Sequence, residues 1–229
     1  MNQFTERHYQ ALIGYLKDGL RSGELKKDYK LPSEAELAEK LSFNVPSLRE
    51  AMQLLEMFGL LTQDNDGSYR MSHDAGRGFT DLLALFLLMQ NPGYPDVIRL
   101  RRSIELQSVP AIVENITETE KQTLYFCVAR MMAGPRGDRR ADDEFHDVLV
   151  SASRDSLAAG INRSLIQFTG PTGKIAVSGE YEIDSWEPLI PLHMAVYQAI
   201  AAGDAGRVAD AINTHYDHLL TIYAESGGK

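Results

Sequence analysis

Residues 31–61, LPSEAELAEKLSFNVPSLREAMQLLEMFGLL, carry two helix signatures separated by a tight break. Ser33 followed three positions later by Glu36 is a capping box, in which each side chain satisfies a backbone N–H that a helix start leaves open. A short helix therefore begins at about residue 33 and places Leu37 and Leu41 on one face. SFNV breaks it, and a second helix over about 46–58 has Leu48, Met52 and Leu55 as its inner stripe and Gly59 as its stop. Upstream, FTERHYQALIGYLKDGLRSGEL sets Ile13, Leu16 and Leu20 at three- and four-residue spacing, an amphipathic helix ending near Ser22 and Gly23. Downstream, TQDNDGSYRMS reads as two short strands around Asn65-Asp66-Gly67, a strong hairpin signal. Three helices followed by a hairpin is the order of a winged helix-turn-helix, which lays one helix in the major groove of double-stranded DNA. Any small helical domain with a terminal hairpin is the alternative reading of the same pattern.

Beyond residue 76 the periodicity is almost wholly helical, over 77–90, 95–115, 117–132, 138–153, 155–169, 187–202 and 204–225. Asn91-Pro92-Gly93, Ala133-Gly134-Pro135, Gly170-Pro171-Thr172-Gly173 and Gly203-Asp204 punctuate these segments. The expected fold is mostly α: a winged helix-turn-helix over residues 1–74, a linker from Ser72 to Gly78, and an antiparallel bundle of six to seven helices over 75–229. Apolar residues at 44% and charged residues at 24% are ordinary globular values. The longest apolar run, Leu82 to Met89, is far short of the roughly 20 residues that span a bilayer, and MNQFTERHYQ lacks a signal-peptide apolar region. A cytoplasmic protein with no membrane partner is expected. Cys127, the single cysteine, lies in an apolar helical stretch and reads as a small core residue.

The net charge of −9 excludes a chain coated for nonspecific nucleic-acid binding, and residues 1–74 hold 9 Lys and Arg against 12 Asp and Glu. Positive charge on the DNA-binding half must be local. Asp142 and His146 stand four apart in DDEFHDVL, so a helix projects both from one face at chelate spacing. His193 opens one later helix and His215 lies in the last, and bundles build metal sites from facing helices. Asp143 and His218 are the rivals of Asp142 and His215.

With these residues in view, the chain resembles the GntR-type regulators of the FadR subfamily, whose helical C-terminal domain is the FCD domain. The resemblance covers nearly the whole chain. It rests on LPSEAELAEKL, SLREAMQLLEMFGLL and the wing, then on LRRSIE near residue 100, DDEFHDVLVSAS at 142–153 and HMAVYQAIAAGDAGRVADAINTHYDHL at 193–219. It implies a transcription regulator, expected to act as a repressor, and it implies Asp142, His146, His193 and His215 as ligands of a divalent metal. Neutral imidazoles with one carboxylate suit zinc first, with nickel or iron as alternatives. It also implies a small organic or sugar acid effector at that ion, with Arg101 as its second anchor. Arg102 points about 100° away on the same helix, and an exposed arginine pairing with Glu105 is the competing reading for either. Asp155 stands where the family has asparagine, and a carboxylate there would repel an acidic effector.

Two family arginines are missing: Ala35 and Val45 occupy their positions, which leaves Arg49 on the recognition helix. Arginine reads guanine through paired bonds to O6 and N7, so Arg49 is the expected base reader. Ser33, Asn44 and Ser47 are the other candidate DNA-binding residues. Lys26, Lys27, Lys30 and Lys40 are available for phosphates, and Tyr69 and Arg70 for the minor groove. A homodimer is expected because such proteins read two half-sites. Two rivals stand beside this reading, a metal-dependent enzyme and a ligand or metal sensor that has lost DNA binding. The first lacks any residue that names itself as a general base.

Overall fold

A computed structural model describes residues 3–26, 28–72, 82–83, 85–86, 89–90, 92–133, 138–169 and 188–225. The chain divides into two compact units, Met1–Asp81 and Leu82–Lys229.

The N-terminal unit runs α1 (Gln3–Ser22), α2 (Glu34–Leu41), α3 (Val45–Met57), β1 (Leu61–Gln63) and β2 (Tyr69–Met71). Leu12 and Leu16 of α1 bury against Leu37, Leu48, Met52 and Leu55, while Leu20, expected on the inner stripe, is 49% exposed. The reason lies in the turn that follows. Leu25 folds back so that its amide reaches the Gly19 carbonyl at 2.9 Å, and a Cβ on Gly19 would stand 2.5 Å from the Leu25 side chain. Leu25 thus takes the core place that Leu20 would have filled. Gly59 takes φ 70° as the sequence expects of a helix stop. The hairpin pairs Leu61 with Met71, Thr62 with Arg70 and Gln63 with Tyr69, around Gly67 at φ 81°. Tyr69, a candidate for the minor groove, is instead a buried core residue.

The C-terminal unit contains α4 (Tyr94–Asn115), α5 (Glu118–Met131), α6 (Arg139–Ser151), α7 (Ser156–Thr169), α8 (Ile190–Ala201) and α9 (Ala205–Glu225). Its outline agrees with the expected helical bundle, while the expected helix 77–90 and the linker fall largely outside the described residues. Boundaries are set chemically. Thr117 and Glu120 form a second capping box, and Gly203, at φ 69°, turns α8 into α9. One core joins Ile112 of α4, Leu124 and Val128 of α5, Phe145 and Leu149 of α6, Ile200 of α8, and Val208, Ile212 and Tyr216 of α9. Each such side chain contributes roughly 1.5–3 kcal/mol by burial, which gives the polar groups among them a stiff frame. Cys127 belongs to this core, and burial pushes its thiol up to about 12, so it is an inert packing residue.

Candidate metal centre

Four side chains meet inside the C-terminal unit. Asp142 and His146 rise one turn apart from α6, His193 comes from the first turn of α8, and His215 comes from the middle of α9; all four are buried. Among the described residues, His146, His193 and His215 each offer a ligand atom within 4.8 Å of the others. Asp142 Oδ1 lies 2.9 Å from His193 Nε2 and 3.7 Å from His146 Nε2. The structure therefore brings together all four residues singled out as ligands. Asp143 and His218, the rivals, are half-buried and outside this cluster.

The outer edges of the rings decide what the inner edges can do. His193 Nδ1 lies 2.9 Å from the Leu189 carbonyl and His146 Nδ1 lies 2.7 Å from Glu105 Oε1; both partners only accept, so both Nδ1 atoms carry hydrogen and donate. A neutral ring then has a lone pair on Nε2. These two Nε2 atoms face each other at 3.4 Å, which is repulsive unless a cation lies between them. A proton on one ring would satisfy Asp142 and that pair alone. It would leave His215, neither of whose ring nitrogens has a hydrogen-bond partner among the described residues. Burial, followed by the fields of His193 and His146, holds His215 well below the ordinary imidazole range, so it too offers a lone pair. Burial alone would raise Asp142; the His193 hydrogen bond and the fields of His146, His193 and Arg101 outweigh it and hold the carboxylate below its usual range. That hydrogen bond and those fields need protons on the rings; a divalent ion displacing the protons would meet three imidazole lone pairs and one carboxylate, with His146 and His193 oriented from behind, the donor set of a borderline ion, and the residues fit it.

Sequence reasoning missed the residues that do this orienting. Glu105 is fully buried, and Oε1 also accepts from the Tyr216 hydroxyl at 2.6 Å, while Asn162 of α7 donates to the His146 carbonyl at 3.1 Å. Glu105 is thus engaged by His146 and Tyr216 inside the core, against the competing reading that paired it with an exposed arginine. Arg101 points inward and is buried, under the fields of Tyr216, Glu105 and Asp142, whereas Arg102 turns to Asn213 at 2.8 Å and Asp217 at 2.6 Å on α9. Asp155, expected to repel an effector, is exposed and accepts from the Leu157 and Ala158 amides at 3.0 Å, a cap for α7. The four-residue step from Arg101 to Glu105 was the available signal that both share one face of α4.

On the N-terminal unit the candidate DNA-binding residues are exposed or half-buried, and the Ser33, Asn44 and Arg49 side chains are already occupied; Lys27 lies outside the described residues. Ser33 caps α2, with its hydroxyl 2.7 Å from Glu36 Oε2, and Asn44 caps α3 by accepting from the Ser47 amide at 2.9 Å. Arg49 is bonded to Glu34 through Nε at 3.0 Å and through Nη2. Lys30 reaches Asp66 at 3.0 Å, Arg70 reaches Asp64 at 2.6 Å, and Lys40 lies over the Tyr15 ring. His8 packs edge-on against Phe43, and His73 lies outside the described residues.

Comparison with known proteins places these two units. The FCD domain family matches residues 96–218, more than half of the chain, and the family "Bacterial regulatory proteins, gntR family" matches residues 8–69. The HTH-type transcriptional regulator YcbG of Bacillus subtilis is 28% identical over 207 residues, 89% of this chain and 83% of its own. LutR of the same organism, also an HTH-type transcriptional regulator, is 25% identical over 212 residues, 89% of this chain and 95% of its own. The solved structure of Streptococcus agalactiae GntR superposes with a TM-score of 0.56 at 23% identity, covering 94% of this chain and 98% of that one, a likeness of fold. Among the described residues no helix is long and apolar enough to cross a membrane. With a helix-turn-helix unit in front and an FCD unit behind, the chain belongs to the GntR family of bacterial transcription regulators and is not an enzyme.

Proposed function

We propose that this regulator binds a DNA operator as a homodimer and is controlled by a small organic or sugar acid at a divalent metal site formed by Asp142, His146, His193 and His215. The observation that carries the reading is the pair of Nε2 atoms facing each other at 3.4 Å, beside an imidazole with no hydrogen-bond partner among the described residues. Zinc is the first choice of ion, with nickel or iron as alternatives. Bound there at five- or six-coordination, the ion would supply an open position for a carboxylate oxygen.

The chain's own residues supply the rest. Formal charges of Asp142, Glu105 and Arg101 sum to minus one, so a divalent ion leaves the cluster at plus one and in need of one anion. Arg101 is fixed by burial on α4 and presents a fork suited to a carboxylate. Such an acid would tie α4 to α6, α8 and α9, and it shifts DNA affinity only by preferring one arrangement of the dimer, with couplings of ~1–3 kcal/mol as the usual scale. For a repressor, an acid that loosens the complex induces transcription and an acid that tightens it deepens repression.

Elemental analysis of protein made without a histidine tag tests the metal, and calorimetric titration of lactate, citrate and gluconate against wild type and Arg101→Ala tests the effector. Near-stoichiometric zinc or nickel in both proteins, with acid binding lost only in Arg101→Ala, is expected. Absence of metal after purification in zinc-supplemented medium, or equal acid affinity in both proteins, would sink the respective half of the reading.

A further inference from the structure

We infer that Glu34 is a positioning residue for base reading, gripping Arg49 by one edge of its guanidinium so that the other edge is held out from α3. The inference rests on the reading of α3 as the helix that enters DNA.

Four observations converge on it. The grip is side-on and two-toothed: Arg49 Nε lies 3.0 Å from Glu34 Oε1 and 3.1 Å from Oε2, and Nη2 also bonds Oε2. Nη1 makes no hydrogen bond among the described residues, so the end of the fork, Nη1 with the second hydrogen of Nη2, is left for two parallel bonds. The two side chains differ in exposure, Arg49 at 54% and Glu34 at 20%, which puts the carboxylate behind and the guanidinium in front. Glu34 is also the first residue of α2, immediately after the Ser33 cap, so its backbone is fixed by the Ser33–Glu36 capping box and its charge lies at the favourable end of the helix dipole.

The consequence follows from the sequence. Between residues 31 and 69 Arg49 is the lone arginine, because Ala35 and Val45 stand at the two other reading positions. A single reader has to present both bonds to guanine O6 and N7 together, and a long side chain free to rotate would lose that freedom on binding. The Glu34 grip removes most of the freedom beforehand. The competing account makes Glu34 a decoy whose oxygens occupy Arg49 until DNA displaces them. The two accounts predict opposite changes in sequence discrimination. In both, deleting a negative charge beside DNA leaves nonspecific binding unchanged or stronger.

The test uses the full-length protein. Wild type is first used to select from a pool of duplexes with a randomised centre. The winning duplex and a scrambled one are then titrated by anisotropy at fixed salt with wild type, Glu34→Ala, Glu34→Gln, Arg49→Ala and the double variant Glu34→Ala/Arg49→Ala. Glu34→Ala should lower the ratio of specific to scrambled affinity five- to tenfold without weakening scrambled binding, and Glu34→Gln, which keeps one acceptor oxygen, should fall between it and wild type. The double variant should discriminate no worse than Arg49→Ala alone. An unchanged or increased ratio in Glu34→Ala, or a further fivefold loss in the double variant, overturns the inference while leaving DNA reading intact. Failure of wild type to select any sequence overturns the DNA reading and the inference with it.

Discussion

The two units treat their polar residues in opposite ways. In the C-terminal unit the polar side chains that matter are sealed in a core, and three of them are held from behind, His146 by Glu105, Glu105 by Tyr216 and His193 by the Leu189 carbonyl, with the ligand nitrogens of His146, His193 and His215 converging. In the N-terminal unit they sit at the surface and are neutralised in pairs, Arg49 by Glu34, Lys30 by Asp66 and Arg70 by Asp64. Burial makes an unpartnered lone pair expensive, so the C-terminal arrangement persists only if something occupies the centre. Exposure makes an ion pair cheap to break, so the N-terminal arrangement can exchange carboxylates for phosphates and bases at little cost. A shielded site suits a resident ion and a small ligand, and an exposed one suits a large polyanion that comes and goes.

The largest way to break this contrast is chelation. If the buried imidazoles hold a metal in the native state alone, its removal from protein bathed at a thousandfold excess over the dissociation constant costs ~4 kcal/mol of stability. Dipicolinate should therefore lower the melting temperature of the C-terminal unit by several degrees, with α4 and α9 amides losing exchange protection and those of α1–α3 keeping it. A melt insensitive to chelator and to added zinc would mean that the centre is filled by protons. Glu105→Gln sharpens the same point with a smaller effect. It keeps the shape and an acceptor for His146 and Tyr216 but removes the charge that strengthens the imidazole as a donor. Zinc affinity measured by competition with a fluorescent chelator should fall about ten- to hundredfold. Unchanged affinity would reduce Glu105 to a packing residue.

How much of this was legible in the sequence follows from the kind of interaction involved. Helix starts and stops were readable because capping is local: Ser33 with Glu36, Gly59 and Gly203 all sit within a few residues of what they control. Asp142 and His146 were readable for the same reason, one turn apart on one helix. His193 and His215 came only from the family likeness, since no local rule says which faces of α8 and α9 turn toward α6. Glu105's role was missed because its partner His146 lies 41 positions away, and Leu20 was misread because the residue that displaces it, Leu25, lies beyond the helix end. Tyr69 was placed on a polar wing, yet alternation along a short strand sends it into the core beneath β2. The Arg49–Glu34 pair bridges two helices 15 positions apart and was invisible to helical periodicity.

The smallest effects come from the two residues that the sequence assigned to DNA and the structure employs as caps. The Ser33 hydroxyl accepts from the Glu36 amide at 3.3 Å, and Asn44 Oδ1 accepts from the Ser47 amide at 2.9 Å; each satisfies an N–H that the first turn of its helix leaves open. Replacing either cap by alanine costs ~1 kcal/mol, and by glycine only a few tenths. In the intact chain, Ser33→Ala should speed amide exchange in α2 about fivefold, and Asn44→Ala should do the same for α3, since ~1.4 kcal/mol corresponds to tenfold. Glycine at either position should restore most of the protection, and the C-terminal amides, which belong to a separate compact unit, should not respond. DNA contact gives a different signature: affinity falls while exchange in the free protein stays at its wild-type rate, and glycine fails to rescue because the lost atom is a ligand to phosphate or base. Measuring exchange and operator affinity on the same four variants separates the roles. A pattern of lost affinity with unaltered exchange would return Ser33 and Asn44 to the DNA surface and would make the N-terminal unit less self-occupied than its hydrogen bonds indicate.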